Sequence, residues 1–190
     1  MSFEDSLPPS LKLLKPADKS WPVCKKGRAA AVCMLFIRPK SAPFGAAHIV
    51  LTKRTTHLST HKGQVGFPGG KKDPEDISPT DTALRELEEE IGLKREKVFV
   101  HGQLEASYSL GGGLVIPIVA STRESCAALT PNPYEVAELF TAPWTAFSQE
   151  NSEVFSFNLF GLQRKSHHFR VEDYTVWGLT AKILYESGLR

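Results

Sequence analysis

The sequence predicts an α/β layered domain, in which strands and helices pack face to face around one core. Three observations carry that reading: apolar runs of strand length, two stretches with helical spacing, and Gly- or Pro-marked turns between them. The 190 residues suffice for a single domain with a sizeable core. A formal net charge of +2 argues against a nucleic-acid binder that relies on a strong basic field. No apolar run approaches the roughly 20 residues of a membrane span, so none is expected.

Residues 1–27 are rich in Pro, Lys and Ser, with a short amphipathic piece at Leu7 to Leu14. They are expected to form an N-terminal extension, mobile or packed on the domain, with residues 28–190 as the domain itself. The acidic start, Met1-Ser2-Phe3-Glu4-Asp5, lacks the apolar core of a signal peptide. Cys24, Cys33 and Cys126 fit neither a disulfide framework nor a zinc site, which suits a reducing compartment. The expectation is a soluble intracellular protein, cytoplasmic by default.

The continuous apolar run between Arg28 and Arg38 reads as a buried strand. Pro43 and Gly45 mark a turn, and His48 to Arg54 reads as the hairpin partner. A basic loop from Thr55 to Lys62 leads into Gly63-Gln64-Val65-Gly66-Phe67-Pro68-Gly69-Gly70. Further on, Lys97 to Leu104 and Leu114 to Ser121 read as strands joined through the flexible Ser109-Leu110-Gly111-Gly112-Gly113. Pro131-Asn132-Pro133 marks a turn before Tyr134 to Ala142. Val154 to Phe160 alternates as a half-buried strand does, with His167 to Val171 pairing to it across a Gly161-to-Ser166 turn. Trp177 to Tyr185 has helical spacing and a Gly188 stop.

The remaining helix is the most informative element. Ser78 with Asp81 forms a capping-box pattern, Pro79 stands at the first helical position, and Gly92 at the left-handed C-terminal cap. At about 100° per residue, Leu84, Leu87 and Ile91 share an arc about 60° wide, a stripe to be buried. Glu86, Glu89 and Glu90 share a separate arc of about 100°, and Glu88 points away from it into solvent. Carboxylates at i,i+3 and i,i+4 repel one another, so a hard divalent cation with oxygen ligands is the natural counterweight.

The string Arg85-Glu86-Leu87-Glu88-Glu89-Glu90-Ile91-Gly92-Leu93 resembles the second half of the Nudix hydrolase signature at every fixed position. The resemblance implies an α/β/α sandwich with a central mixed sheet. It also implies Mg²⁺ or Mn²⁺ held by Glu86, Glu89, Glu90 and the Gly70 carbonyl, with Arg85 orienting one of the glutamates. Leu51, Thr52, Arg54, Gly63, Phe67, Pro68, Gly69 and Gly70 match, in register, the further signature of the coenzyme A diphosphatase subfamily. Val50, Thr55 and Ser59 depart from that signature, Ser59 replacing an Arg, and the charge lost there passes to His57, His61 or Lys62. Asp76, where the general box carries Glu, and one extra residue before Arg85 are themselves typical of that subfamily.

The expected substrate is therefore coenzyme A or acyl-CoA, with another nucleotide diphosphate (ADP-ribose, NADH or a dinucleoside polyphosphate) as the alternative enzyme reading. A catalytically inactive binding module is the reading from outside enzymology, though such modules usually lose the metal glutamates. Arg54, His61, Lys62, Gln64 and Gly69 are the candidate substrate contacts, since they precede the phosphate site. The general base falls to a box glutamate, Glu135 or Glu105. His167 and His168 read as surface strand residues. Peroxisomal and mitochondrial members exist in the resembled family. The partner is a small molecule, not a nucleic acid, and the chain is a monomer or homodimer.

Overall fold

A computed structural model describes residues 7–8, 11, 15–22, 28–37, 47–57, 62–159 and 161–187. The apolar run forms β1 (Ala29–Ile37), which lies parallel to β7 (Leu114–Thr122) and antiparallel to β2 (His48–Arg54) and β4 (Gly69–Lys71). β2 also pairs with β3 (Val65–Gly66) and β8 (Val136–Pro143). β7 also pairs with β5 (Val98–Gln103) and β6 (Ser107–Tyr108). One parallel pair among antiparallel ones makes this eight-stranded sheet mixed.

β1 is apolar throughout because both its faces are covered. Ala31, Cys33, Leu35 and Ile37 join a core under α1 (Pro79–Ile91), to which the helix contributes Ala83, Leu87 and Ile91. Met34 and Phe36 point the other way, into a core with Ile49, Leu51, Trp144, Phe147 and Phe169. That second core is closed by Ala181, Ile183 and Leu184 of α2 (Gly178–Ser187). A helix on either face of a mixed sheet is the predicted sandwich.

A second, three-stranded sheet consists of β9 (Glu153–Leu159), β10 (Leu162–Val171) and β11 (Tyr174–Val176). Two expectations are corrected here. β10 starts at Leu162, not His167, so the hairpin turn is tight rather than six residues long. β9 is also exposed along residues 153–158 rather than half-buried.

The N-terminal segment packs on the domain where it is described. Lys15 pairs its backbone with Gln103, and the Asp18 and Gln103 side chains join. Trp21 N–H donates to Ile77 O, and its ring packs against the core beneath α1. Cys24, the Pro43–Gly45 turn, Ser59, His61 and Gly188 lie outside the described residues. No helix among the described residues is long and apolar enough to cross a membrane.

Candidate active site

The helix caps are as the sequence predicts. Ser78 Oγ accepts from Asp81 N and Asp81 Oδ2 accepts from Ser78 N, which satisfies two orphan N–H groups of the first turn. Gly92, at φ 68°, donates its N–H to Glu88 O and closes the last turn. The loop that follows β7 is tied to that end of the helix. Thr130 N donates to Ile91 O and Asn132 N to Glu90 O, at 2.9 and 2.8 Å. Asn132 then accepts from Tyr134 N and Val136 N, while Thr55 anchors the loop through Glu135 O and Tyr134 O. These bonds carry Glu135 to the acidic face of α1.

Two glycines bring the chain close on the other side. Gly69 has φ 149°, and a Cβ there would stand 2.5 Å from Ala31 O and Val32 Cα, so β4 approaches β1 only as glycine. A Cβ at Gly70 would stand 2.3 Å from Glu86 Oε1, so the missing side chain is the cradle of that carboxylate. Gly69 N–H donates to Glu90 Oε2 at 3.1 Å.

Two guanidinium groups divide the carboxylates. Arg85 Nη1 contacts Glu89 Oε2 at 2.8 Å and Glu86 Oε1 at 3.0 Å. Its Nη2 donates to Lys71 O and to Asp76 Oδ2, and Asp76 also accepts from Thr82 Oγ1 and Asp73 N. Burial works to raise the Asp76 carboxyl, but the Arg85, Thr82 and Asp73 hydrogen bonds outweigh it and hold it below its ordinary range. Burial likewise opposes the Arg85 charge, and Asp76, Glu86 and Glu89 more than offset it. Arg54 Nη1 lies 3.1 Å from Glu90 Oε1, and Nη2 4.0 Å from Glu135 Oε2.

Glu86, Glu89, Glu90 and Glu135 thus gather around two guanidinium groups, and burial weighs most on two of them. Burial pushes Glu90 up to about 7 against the Gly69 N–H and Arg54, with Glu86 and Glu135 adding to the rise. Burial raises Glu86 as well, Arg85 opposes, and Glu89 and Glu135 add. Among the described residues no three acids stand at metal-ligand spacing, because each carboxylate is turned onto a guanidinium or an N–H. The donor set nonetheless fits a hard divalent cation: oxygen ligands, excess negative charge, and a glycine cradle.

The structure brings together Gly69, Gly70, Arg85, Glu86, Glu89, Glu90, Glu135 and Arg54. Gln64 lies beside Arg54, whose N–H it accepts through its carbonyl, and Lys62 is exposed on the preceding loop. Glu105 is not brought into the cluster, since it pairs with Lys15 on the surface. Glu88 pairs with Lys94 instead. His167 stacks on Tyr185 and donates or accepts at Ser152 Oγ, and His168 lies against Phe155. The roles of Asn132 and Thr55 as anchors of the Glu135 loop were not read from the sequence. The Pro131-Asn132-Pro133 stretch signalled the turn and marked Glu135 as a candidate, but not the bonds that hold the loop.

The Nudix domain family matches residues 27–155. The uncharacterized Nudix hydrolase NudL of Photorhabdus laumondii is 36% identical over 185 residues, covering 97% of this chain and 91% of that one. The Arabidopsis thaliana Nudix hydrolase 15, mitochondrial, is 37% identical over 193 residues, covering 98% of this chain but 64% of the plant protein. Among solved structures, the M. Smegmatis Nudix hydrolase RenU is similar at TM-score 0.50 and 26% identity, over 62% of this chain and 71% of that one. A MutT/nudix family protein from Enterococcus faecalis shares the fold at TM-score 0.53 and 16% identity, over 88% of this chain and 63% of its own. With the acidic helix, the glycine cradle and these likenesses in agreement, the chain belongs to the Nudix family of hydrolases, which act on phosphoric anhydrides.

Proposed function

We propose that the chain is a Mg²⁺- or Mn²⁺-dependent diphosphatase that cuts coenzyme A or acyl-CoA to 3′,5′-ADP and 4′-(acyl)phosphopantetheine. The observation that carries the hydrolase half is the gathering of Glu86, Glu89, Glu90 and Glu135 around Gly69 and Gly70. The coenzyme A half rests on the strand and loop from Leu51 to Gly70, whose matching residues lead directly into that cluster.

Glu86, Glu89, Glu90 and the Gly70 carbonyl would hold the metal, which when bound supplies charge neutralisation at phosphate oxygens and an activated water. Arg85 orients Glu86 and Glu89 through its short contacts. Glu135, half-exposed on an anchored loop, would accept the proton of the attacking water. Arg54, Lys62, Gln64, Gly69 and the sequence neighbour His61 make up the proposed substrate-facing set, with His57, His61 or Lys62 supplying the charge that Ser59 lacks.

One observation favours the other nucleotide diphosphates. Arg54 is engaged with Glu90 and Glu135, which leaves one cation fewer for a 3′-phosphate. The deciding experiment is a substrate panel read by product identity with Mg²⁺ and Mn²⁺: coenzyme A, 3′-dephospho-coenzyme A, ADP-ribose and NADH. Preference for coenzyme A over its 3′-dephospho form supports the proposal; equal turnover of both overturns its coenzyme A half.

A further inference from the structure

We propose that β9 is a self-association edge: it pairs antiparallel with β9 of a second copy of this chain, about a two-fold axis at Ser156. The starting observation is an arm. Residues 153–158 of β9 and 162–165 of β10 are exposed on both faces, so the hairpin projects from the second sheet into solvent. An isolated two-stranded hairpin is marginal in water. This one also holds apolar side chains outward: Val154 at 52%, Phe155 at 46%, Phe157 at 37% and Leu162 at 59% exposure.

The two edges of the arm are treated differently. Outer β10 carries Arg164 and Lys165, charges that blunt an open strand edge. β9 from Val154 to Leu159 carries no charge, and Glu153 at its start is already paired with Arg170 at 3.1 Å. Among the described residues β9 pairs with β10 alone. An uncharged, aromatic, unguarded edge accepts another strand, whereas the guarded edge refuses one.

The sequence of β9 selects a copy of itself as that strand. Phe155-Ser156-Phe157 reads the same in both directions, so antiparallel pairing about Ser156 sets Phe155 opposite Phe157 twice. All four rings then fall on one face, with Arg164 and Ser166 beside them, and isologous contacts of this kind close as a dimer. The open ring surface of Phe155 and Phe157 is roughly 150–200 Å² per copy. That is far below the roughly 800 Å² per partner of a standard interface, so the dimer is weak and concentration-dependent.

Sedimentation velocity of the full chain from about 1 to about 100 μM is expected to show a monomer–dimer equilibrium. Phe157→Lys should raise the dissociation constant at least about ten-fold while metal-dependent turnover continues. Ser156→Cys should give a disulfide-linked dimer on mild oxidation. Lys165→Cys, its cross-strand neighbour on β10, should not, because the paired sheet would hold the two thiols too far apart to bridge. A monomer throughout that range overturns the proposal. A dimer unaffected by Phe157→Lys, or equal cross-linking of both cysteine variants, overturns it too.

Discussion

Arg54 Nη1 stands 3.1 Å from Glu90 Oε1, a contact that joins the end of β2 to the last turn of α1 across 36 residues of sequence. Glu90 is 1% exposed, so the guanidinium is the counter-charge that its ionised form needs. Arg54 therefore has a structural duty besides any contact with substrate. Arg54→Met should cost about 1–3 kcal/mol at pH 8 in metal-free urea denaturation. The cost should shrink towards pH 5, where Glu90 is protonated and has no ion pair to lose. A purely substrate-binding arginine would instead raise KM and leave the urea midpoint unchanged.

The buried carboxylate also gives the metal-free protein a pH signature. Glu90 moves from the ordinary 4.5 to about 7 in the folded chain, chiefly through burial. Between those values the native state binds the proton more tightly than the unfolded state, so stability falls as pH rises. The contribution is fully present below 4.5 and lost above about 7, on the order of 3 kcal/mol in all. Glu86 is raised in the same sense; Asp76, lowered, acts oppositely and at lower pH. Urea midpoints between pH 5 and 8 should fall in the wild type and flatten in Glu90→Gln. Added Mg²⁺ should restore stability most at the alkaline end, where the carboxylates are charged.

Glu89 separates chemistry from folding. Its side chain is 52% exposed and meets Arg85 at the surface, so Glu89→Gln should change stability by no more than about 0.5 kcal/mol. Metal-dependent turnover should nonetheless fall roughly 100- to 1000-fold, the loss expected when a charged ligand of a catalytic ion is neutralised. Unchanged turnover in a folded variant would remove Glu89 from the metal set.

What the sequence disclosed follows the range of the forces involved. α1 was legible end to end because its capping box, Pro79, Gly92 and aliphatic stripe are all local. β1 was legible because a strand buried on both faces must be apolar throughout. β3, β4 and β6 left no pattern: they are two or three residues long, and β4 is a Gly-Gly-Lys stretch that pairs with a strand about 40 residues earlier. The start of β10 was misread as a turn because Gln163, Arg164 and Lys165 face solvent, which erases the alternation that burial writes into a strand. In the site, the glutamates could be placed on one helix face from spacing alone. Their division between Arg85 and Arg54, and the bonds that carry Glu135 to the cluster, depend on contacts between distant segments.

The glycine pair should split into two phenotypes, although the residues are adjacent and chemically identical. A Cβ at Gly69 meets Ala31 O and Val32 Cα at 2.5 Å, both of them backbone, and φ 149° disfavours any L side chain. Gly69→Ala should therefore destabilise the fold by about 2–4 kcal/mol, since neither strand can move aside cheaply. The three atoms nearest a Cβ at Gly70 all belong to the Glu86 carboxylate, the first at 2.3 Å, and a side chain can rotate away. Gly70→Ala should keep its urea midpoint within about 1 kcal/mol of the wild type. With Glu86 expelled from its cradle, however, Mn²⁺ affinity by calorimetry should weaken and turnover should drop about 100-fold. If Gly70→Ala instead unfolds while Gly69→Ala stays folded and inactive, the assignment of strand contact to one glycine and carboxylate cradle to the other is reversed.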